Sequence, residues 1–535
     1  MFNQGFLFLC LLLSVSIALG QPSETADFNH RSAAMGGCEA TIDGEGNRIN
    51  IFEMSGGENP AGSHFNTRYG YQPGTEDSLS LVDKFSFDMG FRYLEYPGAP
   101  EDNGDKRSWY WIDSPGRILV EKAFNEFFSS RFQFSGGYNT VRKSWQDVYA
   151  PYPPEYRHNY TASTIDWGSL RNRAATLGGT ALLPLGELYF SYHFPLGISV
   201  GAGGGYGFSE FEDMYYLGSW HTITSGMANS YRVRFGARYS LPGFERYATV
   251  GLSYGVSGGR ANNEEDEEFE MLKSSESRLG IQAVGSFPGY ISGGIAFESA
   301  KFDEDYRINA SSEDIDELKD DWTKTKAALR VYGNEIGVPI SLGVRYKGIN
   351  TEGSRPQLVG TLYPSISGAD DITVSENDLG IGITVNPIEW MTFAAEYNHG
   401  SWEYISTGDN NYEANDDCGG FSFGAELFPI PQFGVRFGFE HFAHETDSGY
   451  KDLSSDLYYH EFNLPYGAPM MRFDLVPDIE KGSILSGGFV LRLDTEQRLL
   501  VELTGRHYFS GDPEIYKEEG GNRSEGYLGL TYYLR

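Results

Sequence analysis

Residues 231–241 read YRVRFGARYSL, and their alternation decides the fold. Tyr231, Val233, Phe235, Ala237, Tyr239 and Leu241 share one face of an extended chain, and Arg232, Arg234, Gly236, Arg238 and Ser240 share the other. One face suits lipid and the other suits water. The same period of two recurs at Phe433, Val435, Phe437 and Phe439 against Gly434, Arg436, Gly438 and Glu440. Val338, Ile340, Leu342, Val344 and Tyr346 alternate in the same way with Ser341, Gly343, Arg345 and Lys347.

Outward from these strands the chain repeats a unit from residue 186 onward: a strand, a tight turn, a second strand, then a long polar segment. The turns fall at Pro195–Gly197, Leu241–Glu245, Phe287–Gly289, Gly333–Gly337, Asn386–Glu389, Pro429–Gln432 and Asp494–Gln497. The long segments fall near 211–227, 257–275, 300–322, 349–375, 399–415, 442–482 and 509–523. Strict alternation of short and long connections is the outer-membrane barrel pattern, with short turns facing the periplasm. A soluble sandwich also alternates, but its loops do not sort so regularly by length. Leu528, Leu530, Tyr532 and Leu534 lie on one face of a closing strand. That ending resembles the strand by which the barrel-assembly machinery recognises its clients, although Arg535 stands where most such strands carry an aromatic.

Before residue 180 the period is weaker. Phe85, Phe87, Met89, Phe91 and Tyr93 alternate with Ser86, Asp88, Gly90 and Arg92, and Phe132 with Phe134 begins a similar run. The expectation is an all-β, transmembrane, antiparallel up-and-down barrel of about 14 to 18 strands. Ser311 and Asp314 before Ile315, Leu318 and Trp322 predict one short helix inside a loop.

Composition agrees. Mean hydropathy is −0.40, which a barrel tolerates because only alternate residues meet lipid. Asp and Glu number 74 against 41 Lys and Arg, a formal charge of −33, which argues against a nucleic-acid partner. The 36 Tyr, 36 Phe and 67 Gly suit interfacial girdles and curved strands. Residues 1–20, MFNQGFLFLCLLLSVSIALG, have the profile of a secretory signal peptide, with Ala18-Leu19-Gly20 as a cleavage site and no Lys or Arg ahead of the apolar core. The organisation expected is signal peptide 1–20, an N-terminal plug or hatch segment 21–77, and the barrel 78–535, located in the outer membrane of a Gram-negative cell envelope.

Residues 30–62 read HRSAAMGGCEATIDGEGNRINIFEMSGGENPAG. The Ala-Met-Gly-Gly start, the acidic Gly-rich turn and the closing Asn59, Pro60, Ala61 and Gly62 resemble the N-terminal segment of the long-chain fatty-acid transporter family of outer-membrane barrels. A related opening occurs in barrels of the type IX secretion apparatus. The resemblance covers about thirty residues, and the Met54–Glu58 stretch is longer and richer in Gly than that pattern. It implies that the segment lies inside the barrel as a hatch whose movement opens a path for apolar ligands. The alternative is a flexible periplasmic leader.

Two Gly-x-Ser-x-Gly matches, at Gly251-Ser253-Gly255 and Gly420-Ser422-Gly424, sit in alternating strand sequence rather than at the strand-to-helix turn a hydrolase needs. No enzyme activity is expected. Gly201, Gly203, Gly205 and Gly207 fall on one strand face, opposite Ala202, Tyr206 and Phe208, and read as a flat surface where another segment packs close. His441 and His444 read as a surface pair rather than half of a metal site. Cys38, in the hatch, and Cys418, at the start of a strand, come within disulfide reach if the hatch fills the lumen, or else stay two buried thiols.

If the apolar residues face lipid, then Arg232, Arg234, Arg238, Arg330, Arg345, Lys347, Arg436 and Arg506 face the lumen, with Glu396, Glu440 and Glu502 among them. Cations are expected to outnumber anions there. Either they form a structural network of ion pairs, or they set up a positive field for an anionic head group, with Arg232, Arg234, Arg238, Arg345, Arg436 and Arg506 as the ligand-binding set. The expected function is passive transport of a small hydrophobic or amphipathic ligand, with no cofactor and outer-membrane lipid as the surroundings. A non-transporting docking or secretion-associated barrel is the alternative.

Overall fold

The computed structural model describes residues 30–42, 59–61, 83–100, 106–125, 127–146, 157–166, 170–172, 180–182, 186–217, 220–241, 248–263, 270–286, 290–306, 316–356, 369–407, 412–448, 481–493, 499–510 and 522–534. Residues 1–20, read as a signal peptide, lie outside these. A short helix, α1 (His30–Ala34), comes first. The strands that follow are β1 (Asp83–Pro100), β2 (Lys106–Ala123), β3 (Phe128–Gln146), β4 (Arg157–Asp166), β5 (Leu170–Asn172), β6 (Thr180–Leu182), β7 (Gly186–His193), β8 (Ile198–Leu217) and β9 (Trp220–Ser240). Then come β10 (Ala248–Asn263), β11 (Glu270–Ser286), β12 (Ile291–Tyr306), β13 (Asp316–Tyr332), β14 (Ile340–Pro356), β15 (Ala369–Ile388) and β16 (Met391–Thr407). The last are β17 (Tyr412–Ile430), β18 (Phe433–Ser448), β19 (Lys481–Arg492), β20 (Leu499–Ser510) and β21 (Asn522–Leu534).

Each wall strand pairs antiparallel with its neighbours, and the first meets the last: Asp83 lies opposite Leu534 and Glu95 opposite Asn522. That ladder closes the sheet and leaves no open edge, the condition for crossing a bilayer with strands. β4 and β7 share one stave. β4 pairs with the upper part of β3 and with β8 at Ser209–Leu217, whereas β7 pairs with lower β3 and with β8 at Ser199–Tyr206. Between them in sequence, β5 pairs antiparallel with β6 in a separate two-stranded sheet. Nineteen strands thus build an eighteen-stave barrel, at the top of the expected range.

Four of the expected short connections fall among the described residues, and those after Leu241, at Phe287–Gly289 and at Asp494–Gln497 lie outside them. Glu389–Trp390 and Pro431–Gln432 are two-residue turns. Gly197 and Gly337 adopt φ of +79° and +77°, the left-handed conformation that costs a glycine nothing. The opposite ends of the strands run further than the sequence indicates. β9 begins at Trp220 and β15 at Ala369, inside stretches read as loops. The predicted loop helix is also a strand: Leu318 and Trp322 lie in β13, opposite Glu304 and Ala300 of β12. Periodicity reports contact with lipid. Above the membrane no lipid imposes an apolar face, so the ladder continues after the alternation has ended.

Exposed aromatics mark the two interfaces. Tyr206, Tyr231, Tyr254, Tyr346 and Tyr397 form an upper set, and Phe124, Phe194, Tyr239 and Trp390 lie near the short turns. Tyr231 and Tyr239 are separated by roughly 26 Å along their strand, which suits an apolar band about 25 Å tall once strand tilt is allowed for. Leu252, Ile281, Ile295, Leu329, Leu342, Ile381, Phe423, Phe437 and Leu485 fill the belt between. The core proper is therefore the lumen, and its side chains are polar.

Candidate functional site: the lumen wall and the segment it holds

The inward positions of the wall carry the predicted arginines. Arg232, Arg234, Arg238, Arg330 and Arg436 are all buried, and Arg345 and Arg506 are partly so. Their neighbours bring carboxylates into the same wall. Among the described residues, buried glutamates number eight (Glu121, Glu187, Glu298, Glu396, Glu426, Glu440, Glu502, Glu525) and buried cations seven (Arg131, Arg232, Arg234, Arg238, Lys324, Arg330, Arg436). With Arg345 and Arg506, partly buried on the same wall, the two signs are close to balance. Glu187, Glu298 and Glu426 were absent from the sequence count, although alternation against Leu188, Phe297 and Leu427 was a signal that put each on the inner face.

Most of these charges are tied. Arg436 donates from Nε to Glu426 Oε1 at 2.7 Å and from Nη1 to Glu502 Oε1 at 2.6 Å. Arg345 donates to Glu396 Oε1 at 2.9 Å and Asn398 Oδ1 at 2.8 Å, and pairs with Asp378. Arg506 lies 3.6 Å from both Glu440 and Glu525. Arg232 donates to Glu187 Oε1 at 3.1 Å, where the Tyr189 hydroxyl also donates at 2.8 Å. Arg238 donates to Thr249 Oγ1 at 3.1 Å. Arg234 differs. It is 7 % exposed and has no hydrogen-bond acceptor among the described residues, and its Cγ would lie 3.1 Å from a Cβ added at Gly255.

The N-terminal residues lie against this inner wall. Gly36 and Gly37 end α1 with φ of +76° and +79°, and the Gly37 amide donates to Ser32 O at 2.9 Å. The turn lays residues 34–42 along β13–β19. Arg31 Nε donates to both carboxylate oxygens of Glu426 at 3.1 and 3.0 Å. The Gly36 amide donates to Ser486 Oγ at 3.1 Å, and that hydroxyl donates to Ala34 O at 3.2 Å. Glu396 Oε2 accepts from the Ala40 amide at 2.6 Å, and Arg330 Nε donates to the Ala40 carbonyl at 2.7 Å. Met35, Cys38 and Ile42 pack together with Ala394. Cys38 is a buried thiol there, so the tether to Cys418 is not formed.

Asn59, Pro60 and Ala61 are buried on the other side of the lumen, against β7–β10. Asn59 Nδ2 donates to the carbonyls of Ala237 at 3.3 Å and Leu252 at 3.4 Å, while Ser191 Oγ donates to Ala61 O at 3.3 Å. Gly62 lies outside the described residues. The wall is made of glycine where the segment touches it. A Cβ at Gly201 would lie 2.3 Å from the Pro60 carbonyl carbon, and one at Gly236 2.1 Å from Asn59 Oδ1. The flat surface expected from Gly201, Gly203, Gly205 and Gly207 thus meets another segment at Gly201. Under residues 35–40 the corresponding glycines are Gly424, Gly438 and Gly343, with added Cβ atoms 2.5, 1.9 and 1.9 Å from segment backbone. Asn59, Pro60 and Ala61 were singled out by sequence; their seats were not, because strand-to-segment pairing leaves no local pattern.

The remaining motifs take structural places. Gly251-Ser253-Gly255 and Gly420-Ser422-Gly424 lie within β10 and β17, with no turn to present the serine. His441 stacks on Phe421, its Nδ1 3.0 Å from Ser483 Oγ.

A closed strand barrel with an apolar outer belt and a charged lumen defines an outer-membrane barrel. No family model matches the chain, and no curated protein matches it. Among solved structures it is similar to the toluene transporter TodX of Pseudomonas putida, at 10% identity and TM-score 0.31, with 95% of this chain and 97% of that one covered. A FadL homologue of Pseudomonas aeruginosa gives 10% identity and TM-score 0.35, over 96% and 99% of the two chains. The alcaligin receptor FauA of Bordetella pertussis gives 10% and 0.40, over 84% and 76%.

Proposed function

We propose that the protein passes a small hydrophobic or amphipathic ligand passively across the outer membrane, with residues 21–77 acting as the hatch of the lumen. The observation that carries this is the way the N-terminal segment is held. Residues 30–42 and 59–61 are bound to the wall by hydrogen bonds and close packing, all of them reversible, and Asn59 packs on Gly236, two positions along β9 from the buried guanidinium of Arg234. A displaceable segment supplies a path, and the Arg234 guanidinium, which makes no hydrogen bond among the described residues, supplies donors for an anionic head group. Arg436, Arg345, Arg506 and Arg232 hold carboxylates already, which supports a structural part for them beside any contact with ligand.

Purified protein in liposomes is expected to speed entry of a fluorescent alkyl carboxylate over protein-free liposomes. Equal entry would remove the transport reading in favour of a docking or secretion-associated barrel. Arg234→Gln is expected to slow the carboxylate several-fold and leave its neutral methyl ester unchanged, because only the former feels the charge. Equal slowing of both would assign Arg234 to the wall alone.

A further inference from the structure

On the inner faces of β7 and β9, two arginines stand beside one carboxylate. We propose that Tyr189 is a positioning residue: it holds Glu187 on Arg232 and bars it from Arg234, so that Arg234 stays open to an anionic head group. This rests on the reading of Arg234 given above and deepens it by naming the side chain that keeps the guanidinium available.

Between the two strands runs β8, with glycine at inner positions 203 and 205. Glu187 lies opposite Gly205 and Gly205 opposite Arg232, while Tyr189 lies opposite Gly203 and Gly203 opposite Arg234. With no side chain on β8 at these rows, groups from β7 and β9 meet across it. Arg232 Nη1 and the Tyr189 hydroxyl both donate to Glu187 Oε1, at 3.1 and 2.8 Å. Arg234 lies within the field of the same carboxylate, yet makes no hydrogen bond to it. All four side chains are buried. A carboxylate placed between two buried guanidiniums would ordinarily serve both, because an unpaired charge inside the wall is unfavourable.

Two contacts prevent it here. The Tyr189 ring fills the slot over Gly203, on the row that leads to Arg234: a Cβ added at Gly203 would lie 2.5 Å from Tyr189 Cδ1. Arg234 in turn leans the other way, over Gly255 of β10, where an added Cβ would lie 3.1 Å from its Cγ and 3.7 Å from its Nε. Opposite Gly255 on β11 stands Arg278, which already holds Glu276 at 2.9 Å. Glu298 also feels Arg234, but less strongly than it feels Arg278, Lys324 and Lys326. Arg234 is thus turned from the nearest carboxylate of β7 toward a second guanidinium. An anion that enters beside Arg234 is drawn by both cations, and a neutral ligand gains nothing from either.

Butanedione labelling of arginines, mapped by mass spectrometry on the full-length protein in lipid nanodiscs, tests this without ligand or transport. Each variant is first shown to keep the unheated gel mobility of the folded barrel. In the wild-type protein Arg234 is expected to label and Arg232 to resist. Tyr189→Ala opens the slot over Gly203, and labelling of Arg234 is expected to fall at least about fivefold as Glu187 reaches it, the usual worth of a hydrogen bond to a charged group. Adding Glu187→Gln to Tyr189→Ala should restore the labelling, and Tyr189→Phe, which keeps the ring, should leave it as it was. Glu187→Gln alone leaves the buried ring in place and is expected to raise labelling of Arg232 but not of Arg234. An unreactive Arg234 in the wild type, unchanged labelling in Tyr189→Ala, or a rise at Arg234 in Glu187→Gln alone would overturn the proposal. Failed uptake in liposomes would remove the transport reading, while the labelling would still decide what keeps Glu187 from Arg234.

Discussion

The two faces of β18 share one backbone and sit in different solvents. Phe437 and Phe439 stand exposed on the outer face, at 56 % and 38 %, while Arg436 and Glu440 on the inner face are 1 % and 0 % exposed. Outside, each apolar residue answers to lipid and barely to its neighbours. Inside, no charge stands alone cheaply: Arg436 bridges β17, β18 and β20 through Glu426 and Glu502, and Glu426 reaches Arg31 as well. The outer wall is a sum of independent residues, and the inner wall is a network.

That contrast breaks or sharpens under substitution. The largest effect is expected inside. Arg436→Ala strands Glu502 and leaves Glu426 to Arg31 alone, and is expected to cost about 3–5 kcal/mol, read as a shift in the urea midpoint for unfolding from lipid vesicles. The triple change Arg436→Met, Glu426→Gln, Glu502→Gln should recover most of it. A loss below about 1 kcal/mol in the single variant would show that the inner charges act independently after all.

On the outer face, Phe437→Arg puts a cation in the lipid belt and is expected to cost about 2–4 kcal/mol, and Phe437→Leu much less. Coupling between Phe437→Arg and Phe489→Ala is expected to be small, because outer positions add. A strong coupling would erase the distinction between the two faces.

The smallest effect belongs to the part of the wall above the membrane. Lys301 and Asp321 form a pair at 3.1 Å whose side chains are 73 % and 61 % exposed. Lys301→Ala is expected to change stability by less than about 1 kcal/mol, and added salt should abolish the difference. A salt-resistant loss near that of Arg436→Ala would place this pair in the network.

The same contrast explains what could be read in advance. Tyr231–Leu241 gave its strand, its two faces and the inward direction of three arginines, because lipid on one side imposes a period of two. The upper strand ends gave no such sign, and the helix expected near Ile315–Trp322 is β13, because a polar ladder shares its composition with a loop. The interruption between β4 and β7 was likewise hidden. Two runs on one stave look like any other two strands until their partners are known.

By itself the sequence determined the class: a closed β-barrel, short turns at one end, an apolar belt, a charged interior, and an N-terminal stretch singled out by Asn59-Pro60-Ala61. Those features are local, fixed by side-chain alternation, turn chemistry and composition. Only the tertiary structure decided which charges meet. Arg31 finds Glu426 across 395 positions and Gly36 finds Ser486 across 450. Wall glycines far apart in the chain become seats for one segment only once the sheet has closed. Pairing at that range follows from barrel register and curvature, and no periodicity in the chain encodes it.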